Sequence, residues 1–270
     1  MDKNCFVSSL KASINNPSLP ILETPESVVD RYLQVIEDTT YRNELLTFVT
    51  GLFDNGIWSK MITFYPILGA VGKMGVNLVA PDRYSFDMSL AVKDGNVLQV
   101  NNDSKASVAE NDNYIINGSS KDFTVFCAQF GGNVRLLSLL NAEGSSILLN
   151  RPSLNSYQGA NNLSNFVISW YDEAAHNLNL EYTGGGNSYG KAIRLIFASS
   201  EEGIVGIKNG VKRIDDNALS YFPIIFTPNY FDVAKSIYSC GTAYGMTEEE
   251  ATAFDALWVA FLEATSKPFV

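Results

Sequence analysis

The chain has 270 residues, 46% of them hydrophobic, and a formal net charge of −10. Its length and apolar content suit one or two globular domains with a sizeable core. Its acidity, with no basic run longer than Lys212-Arg213, excludes the clustered lysine and arginine that a nucleic-acid partner demands.

Charged residues make up only 18% of the chain, so Asn, Ser, Thr, Gly and Tyr supply much of the polarity, as in turn-rich β proteins. Residues 1–23 have weak periodicity and an Asn-Asn-Pro break, which predicts an irregular N-terminal arm. The opening MDKNCFVSSLKASINN has no long apolar core, so no secretory signal is expected. Helical signals begin at Thr24, a capping residue, followed by Pro25 at the first helical position and Glu26 at the positive end of the helix dipole. Val28, Tyr32, Leu33, Val35 and Ile36 then form one apolar stripe. Thr39 and Thr40 are candidate caps for a second helix. Its apolar face is Leu45, Leu46, Phe48, Val49, Leu52 and Phe53, and Asn55-Gly56 is its stop. Residues 24–63 therefore read as a helical hairpin and a hinge. The hairpin carries more apolar surface than two helices can bury on each other. It is expected to pack on the rest of the chain or on another subunit, and its exposed faces, with the arm, to mediate assembly.

Phe53 to Pro81 (FDNGIWSKMITFYPILGAVGKMGVNLVAP) marks a change of period from helix to strand. Trp58, Tyr65 and Pro66 are expected to anchor the helices on the strand-rich region that begins at residue 64, and Tyr65 to Pro81 to form its first strands. Met61 to Ala80 is apolar enough to suggest a membrane span. Pro66, Gly69, Gly72, Lys73, Gly75 and Asn77 suit turns and strands instead, so no membrane insertion is expected.

Tyr84, Phe86, Met88 and Leu90 then alternate with polar residues, the signature of a half-buried strand. Further strands are read at 97–100, 114–116, 123–130, 134–140, 146–149, 165–171, 178–182, 193–198, 203–207 and 222–226. Asp94-Gly95, Asn117-Gly118, Gly131-Gly132, Glu143-Gly144, Gly184-Gly185-Gly186 and Asn209-Gly210 supply turns between them. About ten or more short strands with regular turns predict a mainly β fold, a β-sandwich over residues 64–245. At the end, Thr247-Glu248-Glu249-Glu250 is a capping box, and Phe254, Leu257, Trp258, Phe261 and Leu262 share one helical face. Residues 246–270 read as a C-terminal helix closed by Lys267-Pro268, covering the sandwich or, alternatively, binding a partner.

Motifs for chemistry are few. Gly69-x-x-Gly72-Lys73 lacks the glycine spacing and the following Ser or Thr of a phosphate loop. Cys5, Cys127 and Cys240 are isolated, and Cys127 in VFCAQF reads as a buried free thiol suited to a reducing cytoplasm. His176, the single histidine, falls between two strands and supports neither a triad nor a zinc site. No strand alternates the carboxylates that a glycosidase cleft uses. The loop Asp103 to Asp112 could hold calcium, but its spacing fits a solvated turn better, so no cofactor is expected. Tyr157, Tyr171, Tyr182 and Tyr189 lie near predicted loops rich in Asn, Ser and Gly, a composition that can stack on and hydrogen-bond a glycan or a protein.

Two segments carry a family resemblance. One is Trp58-Ser59-Lys60-Met61 with Tyr65-Pro66-Ile67-Leu68-Gly69 and Asn77-Leu78-Val79-Ala80-Pro81-Asp82. The other is Gly245-Met246-Thr247-Glu248-Glu249-Glu250-Ala251, opening the last helix. Together they resemble tailed-bacteriophage virion proteins with a concanavalin A-like, laminin-G-like sandwich. Ile207-Lys208-Asn209-Gly210-Val211 is similar to a hairpin common in laminin-G-like domains. The resemblance implies a jelly-roll sandwich and a non-enzymatic structural role, as a head or tail appendage or decoration subunit. It implies other virion proteins and further copies of the chain as partners, and a virion location after folding in the bacterial host cytoplasm. A carbohydrate-binding adhesin acting on host surface glycans is the alternative on the same fold, and a glycoside-cleaving enzyme is a third.

Overall fold

Helices at both ends of the chain flank a run of antiparallel strands. The structure, a computed structural model, describes residues 23–83, 85–87, 92–94, 97–99, 107–108, 116–119, 122–130, 135–141, 146–150, 171–172, 177–178, 192–208, 210–215, 223–227 and 236–267. The expected N-terminal arm lies outside the described residues except for Glu23.

Helix α1 spans Pro25–Ile36. Thr24 caps it: the hydroxyl accepts from the Ser27 amide at 3.2 Å, and the Ser27 hydroxyl accepts from the Thr24 amide at 2.9 Å. Helix α2 spans Arg42–Asp54, and here the expected cap is corrected. Neither Thr39 nor Thr40 is its N-cap; Tyr41 is, without a side-chain cap bond. The Asp38 carboxylate accepts from the Thr40 amide at 2.9 Å and holds the linker in a turn just short of the helix. Asn55-Gly56 does end α2. With Gly56 at φ 71°, its amide reaches Phe53 O at 3.0 Å and the Ile57 amide reaches Leu52 O at 2.9 Å, a Schellman stop.

A short 3-10 turn, Trp58–Lys60, leads into the first strand. The strands among the described residues are β1 (Met61–Tyr65), β2 (Phe86–Asp87), β3 (Val92–Asp94), β4 (Val97–Gln99), β5 (Ser107–Val108), β6 (Ile116–Ser119), β7 (Phe123–Phe130), β8 (Arg135–Asn141), β9 (Ser146–Asn150), β10 (Tyr171–Asp172), β11 (Asn177–Leu178), β12 (Ala192–Ser200), β13 (Gly203–Lys208), β14 (Val211–Asp215), β15 (Pro223–Thr227) and β16 (Ser236–Ala243). Helix α3, Glu248–Ala264, closes the chain.

The expectation that Tyr65 to Pro81 forms strands is corrected. Only β1 is strand, and it ends at Tyr65. Pro66 has no N–H to extend the ladder, and Ile67 at φ 54° and Gly69 at φ 85° turn the chain away. Residues 71–73 then form a second 3-10 turn. Asn77 brings the chain back beside β1: its side-chain oxygen accepts from the Phe64 amide at 3.0 Å and the Val79 amide at 3.1 Å.

The larger sheet is eight-stranded and antiparallel, in the order β14-β13-β12-β7-β16-β4-β3, with β1 also paired to β16. β7 lies inside it, paired with β12 from Phe123↔Ser199 to Phe130↔Ala192 and with β16 from Thr124↔Ala243 to Phe130↔Ser236. A four-stranded sheet has the order β6-β15-β8-β9. The chain passes from the larger sheet to this one between β7 and β8, the interval that holds Gly131-Gly132. Strands β13 and β14 pair as neighbours in sequence, with Lys208 opposite Val211 and Gly210 at φ 80°. Asn117-Gly118, expected as a turn, is instead inside β6, opposite Ile225 and Ile224 of β15; cross-strand pairing overrides the local turn preference.

The core gathers where α2, α3, β1 and the larger sheet meet. Phe64 of β1 is its hub, with its ring 4.9 Å from Phe48 of α2, 5.8 Å from Phe126 of β7 and 6.0 Å from Phe261 of α3. Phe126 also meets Phe254 at 4.6 Å and Trp258 at 5.3 Å. The hairpin's stripe, Val28, Val29, Tyr32, Leu33 and Ile36 with Leu45, Phe48, Val49 and Leu52, is at most 5% exposed. The hairpin packs within its own chain, so the apolar helical faces expected to be exposed for assembly are buried.

Candidate functional site

The hinge and the start of α3 build one polar junction. Lys60 leaves the 3-10 turn with its ammonium donating to Gly245 O at 2.9 Å and to Glu250 Oε2 at 2.5 Å. Its carbonyl accepts from the Tyr244 amide at 2.8 Å. Glu250 is already fixed by the capping box, since its Oε2 accepts from the Thr247 amide at 2.8 Å and the Thr247 hydroxyl accepts from the Glu250 amide at 3.3 Å. From β7, Thr124 Oγ1 accepts from the Met246 amide at 3.0 Å and donates to Tyr244 O at 3.0 Å. Asp122 Oδ1 accepts from the Gly245 amide at 2.7 Å. Lys212 of β14 pairs with Glu248. Lysines on either side thus balance the acidic first turn of α3 and orient it on the sheet.

Of the expected anchor residues, Trp58 shares the 3-10 turn with Lys60, whereas Tyr65 and Pro66 lie at the other end of β1. Trp58 is 8% exposed; it stacks on Phe53 of α2 at 5.2 Å and donates from Nε1 to Glu23 at 3.2 Å. Glu23 also pairs with Arg31 at 2.8 Å, and Arg31 reaches Val79 O at 3.0 Å. Tyr65 and Pro66 are buried at the end of β1, with Tyr65 opposite Cys240 of β16. The tyrosines proposed for glycan contact are not brought together among the described residues. Tyr171 sits in β10 opposite Leu178 of β11, whereas Tyr157, Tyr182 and Tyr189 lie outside the described residues, as does His176. Of the loop Asp103 to Asp112, only β5 is described. Lys73, which follows the glycines that fail as a phosphate loop, faces Glu37 at 3.6 Å.

Three features escaped sequence reasoning. Arg194 of β12 and Asp255 of α3 form a buried bidentate pair, Nε to Oδ1 at 2.6 Å and Nη2 to Oδ2 at 3.0 Å. Cys127, buried and free as expected, stands opposite the equally buried and free Cys240 across β7 and β16, a juxtaposition the sequence did not suggest, and burial raises the pKa of both. Lys267, past the end of α3, is 3% exposed, and its ammonium nitrogen donates to Pro66 O and Tyr238 O. Burial pulls its pKa down to about 7, against the opposing influence of Cys240. The Arg–Asp pair joins residues 61 positions apart and each Lys267 bond joins residues further from each other in the chain than any local pattern reaches, so no spacing rule could have found them.

No protein-family model and no curated protein matches this chain. Among solved structures it is similar to a Trypanosoma rangeli sialidase in complex with the inhibitor DANA, at TM-score 0.37 and 12% identity over 73% of this chain and 33% of that one. It is also similar to domain 4 of a GH43 extracellular arabinanase from Geobacillus stearothermophilus in complex with arabinotriose, at TM-score 0.35 and 9% identity over 73% of this chain and 97% of that one. The chain spans 33% of the sialidase's length, and at these scores the likeness assigns no activity.

Proposed function

We propose that the chain is a non-enzymatic structural subunit of a tailed-phage particle, a head or tail appendage or decoration protein on a concanavalin-like jelly-roll sandwich. The observation that carries this reading is the docking of the two segments that resemble phage virion proteins. Lys60 in the first bonds Glu250 in the second across 190 residues of sequence, so the two form one structural unit. The junction's polar groups are engaged with one another and with backbone, which favours a scaffolding role over a reactive one. Two antiparallel sheets with a chain crossing between them are compatible with the jelly roll. With the hairpin's apolar face buried, contacts with other particle proteins and further copies of the chain fall on other surfaces.

Light scattering after size-exclusion chromatography tests the assembly role, with a defined oligomer expected. A strict monomer at high concentration, together with flanking genes that encode no portal, capsid or tail proteins, would sink the reading. A glycan array separates the adhesin: specific binding there would replace the scaffolding role with host attachment.

A further inference from the structure

Strand β16 changes partner along one edge. Ile237 faces Leu98 of β4, whereas Cys240 to Ala243 face Tyr65 to Met61 of β1. Between these two stretches β1 has already ended, because Pro66 cannot donate to a ladder. On the β7 side the register shifts between Ile237 and Ser239, so Tyr238 sits at a bulge. The sheet is therefore discontinuous where β1, β4 and the bulge meet.

Lys267 occupies that break. It arrives through a Schellman stop on α3: Ser266, at φ 57°, reaches Glu263 O at 3.0 Å and the Lys267 amide reaches Leu262 O at 3.0 Å. The side chain then turns inward, and its amine bonds the carbonyls of Pro66 and Tyr238. The Pro66 carbonyl belongs to the peptide that precedes Ile67, whose φ of 54° is a backbone that β-branched residues rarely adopt. Such strain persists only where the surroundings over-determine it. One side chain thus joins the end of α3, the bulge of β16 and the strained turn after β1.

Burial leaves an ammonium here desolvated, and that desolvation favours the uncharged amine. The groups facing it are the two carbonyls, the Cys240 thiol of β16 and the Phe261 ring of α3, 5.9 Å from the nitrogen. Among the described residues no carboxylate forms an ion pair with it. Burial keeps the Cys240 thiol protonated, so it brings no full negative charge.

We propose that Lys267 is a proton-controlled latch: uncharged, it closes the break between β1 and β4 and clamps the Pro66–Gly69 turn to α3; charged, it loosens both. The sign is set by linkage. Burial sets the folded-state pKa near 7 against an ordinary lysine value of 10.5, so between these the unfolded chain holds a proton that the folded chain lacks. The contribution of Lys267 to stability therefore grows as pH rises through that window and is absent below about 7, by up to tenfold in the folding equilibrium per pH unit.

The test is urea unfolding of the full chain and of Lys267→Met between pH 6 and 9.5, with NMR titration of 13C-labelled lysines. The wild type is expected to gain stability with pH relative to the variant, by about tenfold per unit above neutrality. Amide exchange at residues 67–69 and 262–267, corrected for intrinsic rates, should be faster at pH 6 than at pH 8 in the wild type only. Parallel pH profiles of the two proteins would overturn the latch. Should the variant not fold, the wild-type titration decides alone: a Lys267 midpoint near neutrality supports the proposal, and one in the ordinary lysine range rejects it.

Discussion

The Arg194–Asp255 pair gives the sharpest test of how α3 is held. Its side chains are 9% and 12% exposed, and both nitrogen–oxygen contacts are within hydrogen-bond range. Asp255→Ala leaves the guanidinium desolvated beneath the helix, and Arg194→Met leaves the carboxylate so. Breaking a buried pair by removing one partner costs about 3–5 kcal/mol. Replacing both with apolar groups, as in Arg194→Met with Asp255→Leu, removes the stranded charge and should be near neutral or mildly stabilising. The double variant is therefore expected to be more stable than either single one, with a coupling on the order of 3 kcal/mol or more. Urea unfolding at pH 7 measures all four proteins. Raising the salt to 1 M should leave the ordering unchanged, because a buried pair is poorly screened. If either single substitution cost under about 1 kcal/mol, or if the two losses simply added, the pair would not be what holds α3 to β12.

Phe64→Ala should cost about 3–5 kcal/mol and raise amide exchange throughout α1 and α2, since the ring joins α2, α3 and β7. Trp58→Ala should cost about 3–5 kcal/mol through the lost stack on Phe53; unchanged thermal stability would refute the anchor. Thr247→Ala and Lys60→Met should each cost about 1 kcal/mol, and together less than their sum, because both act through Glu250. Cys127 and Cys240 should resist a thiol reagent in the native protein and react only on unfolding, since buried thiols with raised pKa values hold little thiolate; prompt native-state labelling of either would contradict their placement.

Local signals are legible where a residue acts on its own backbone. Thr24 and Thr247 cap helices because their hydroxyls reach amides three residues on. Gly56 ends α2 and Gly210 turns a hairpin because each adopts a positive φ, 71° and 80°. The long strand β7 is legible because FTVFCAQF is apolar along most of its length. By contrast β16, SIYSCGTA, has no hydrophobic alternation, and its sequence gives no strand signal. Its small residues reflect the groups that pack on them. A Cβ on Gly241 would lie 2.2 Å from Thr63 O and 2.5 Å from Phe126, and Ser239 accepts from Trp258 at 3.2 Å. Phe126 and Thr63 are far from Gly241 in the chain, and periodicity cannot see such neighbours.

The helical ends, the strand-rich middle and the boundaries set by caps at Thr24, Gly56 and Thr247 are written in the chain itself, because caps, turns and apolar period act over a few residues. So is the singling out of Trp58-Ser59-Lys60 and Gly245 to Glu250 as segments of interest. Folding alone brings these two segments together, turns the hairpin's apolar face inward onto Phe64 and sets Lys267 in a break between strands. Those outcomes depend on which groups are desolvated together, and desolvation is a property of the folded chain as a whole.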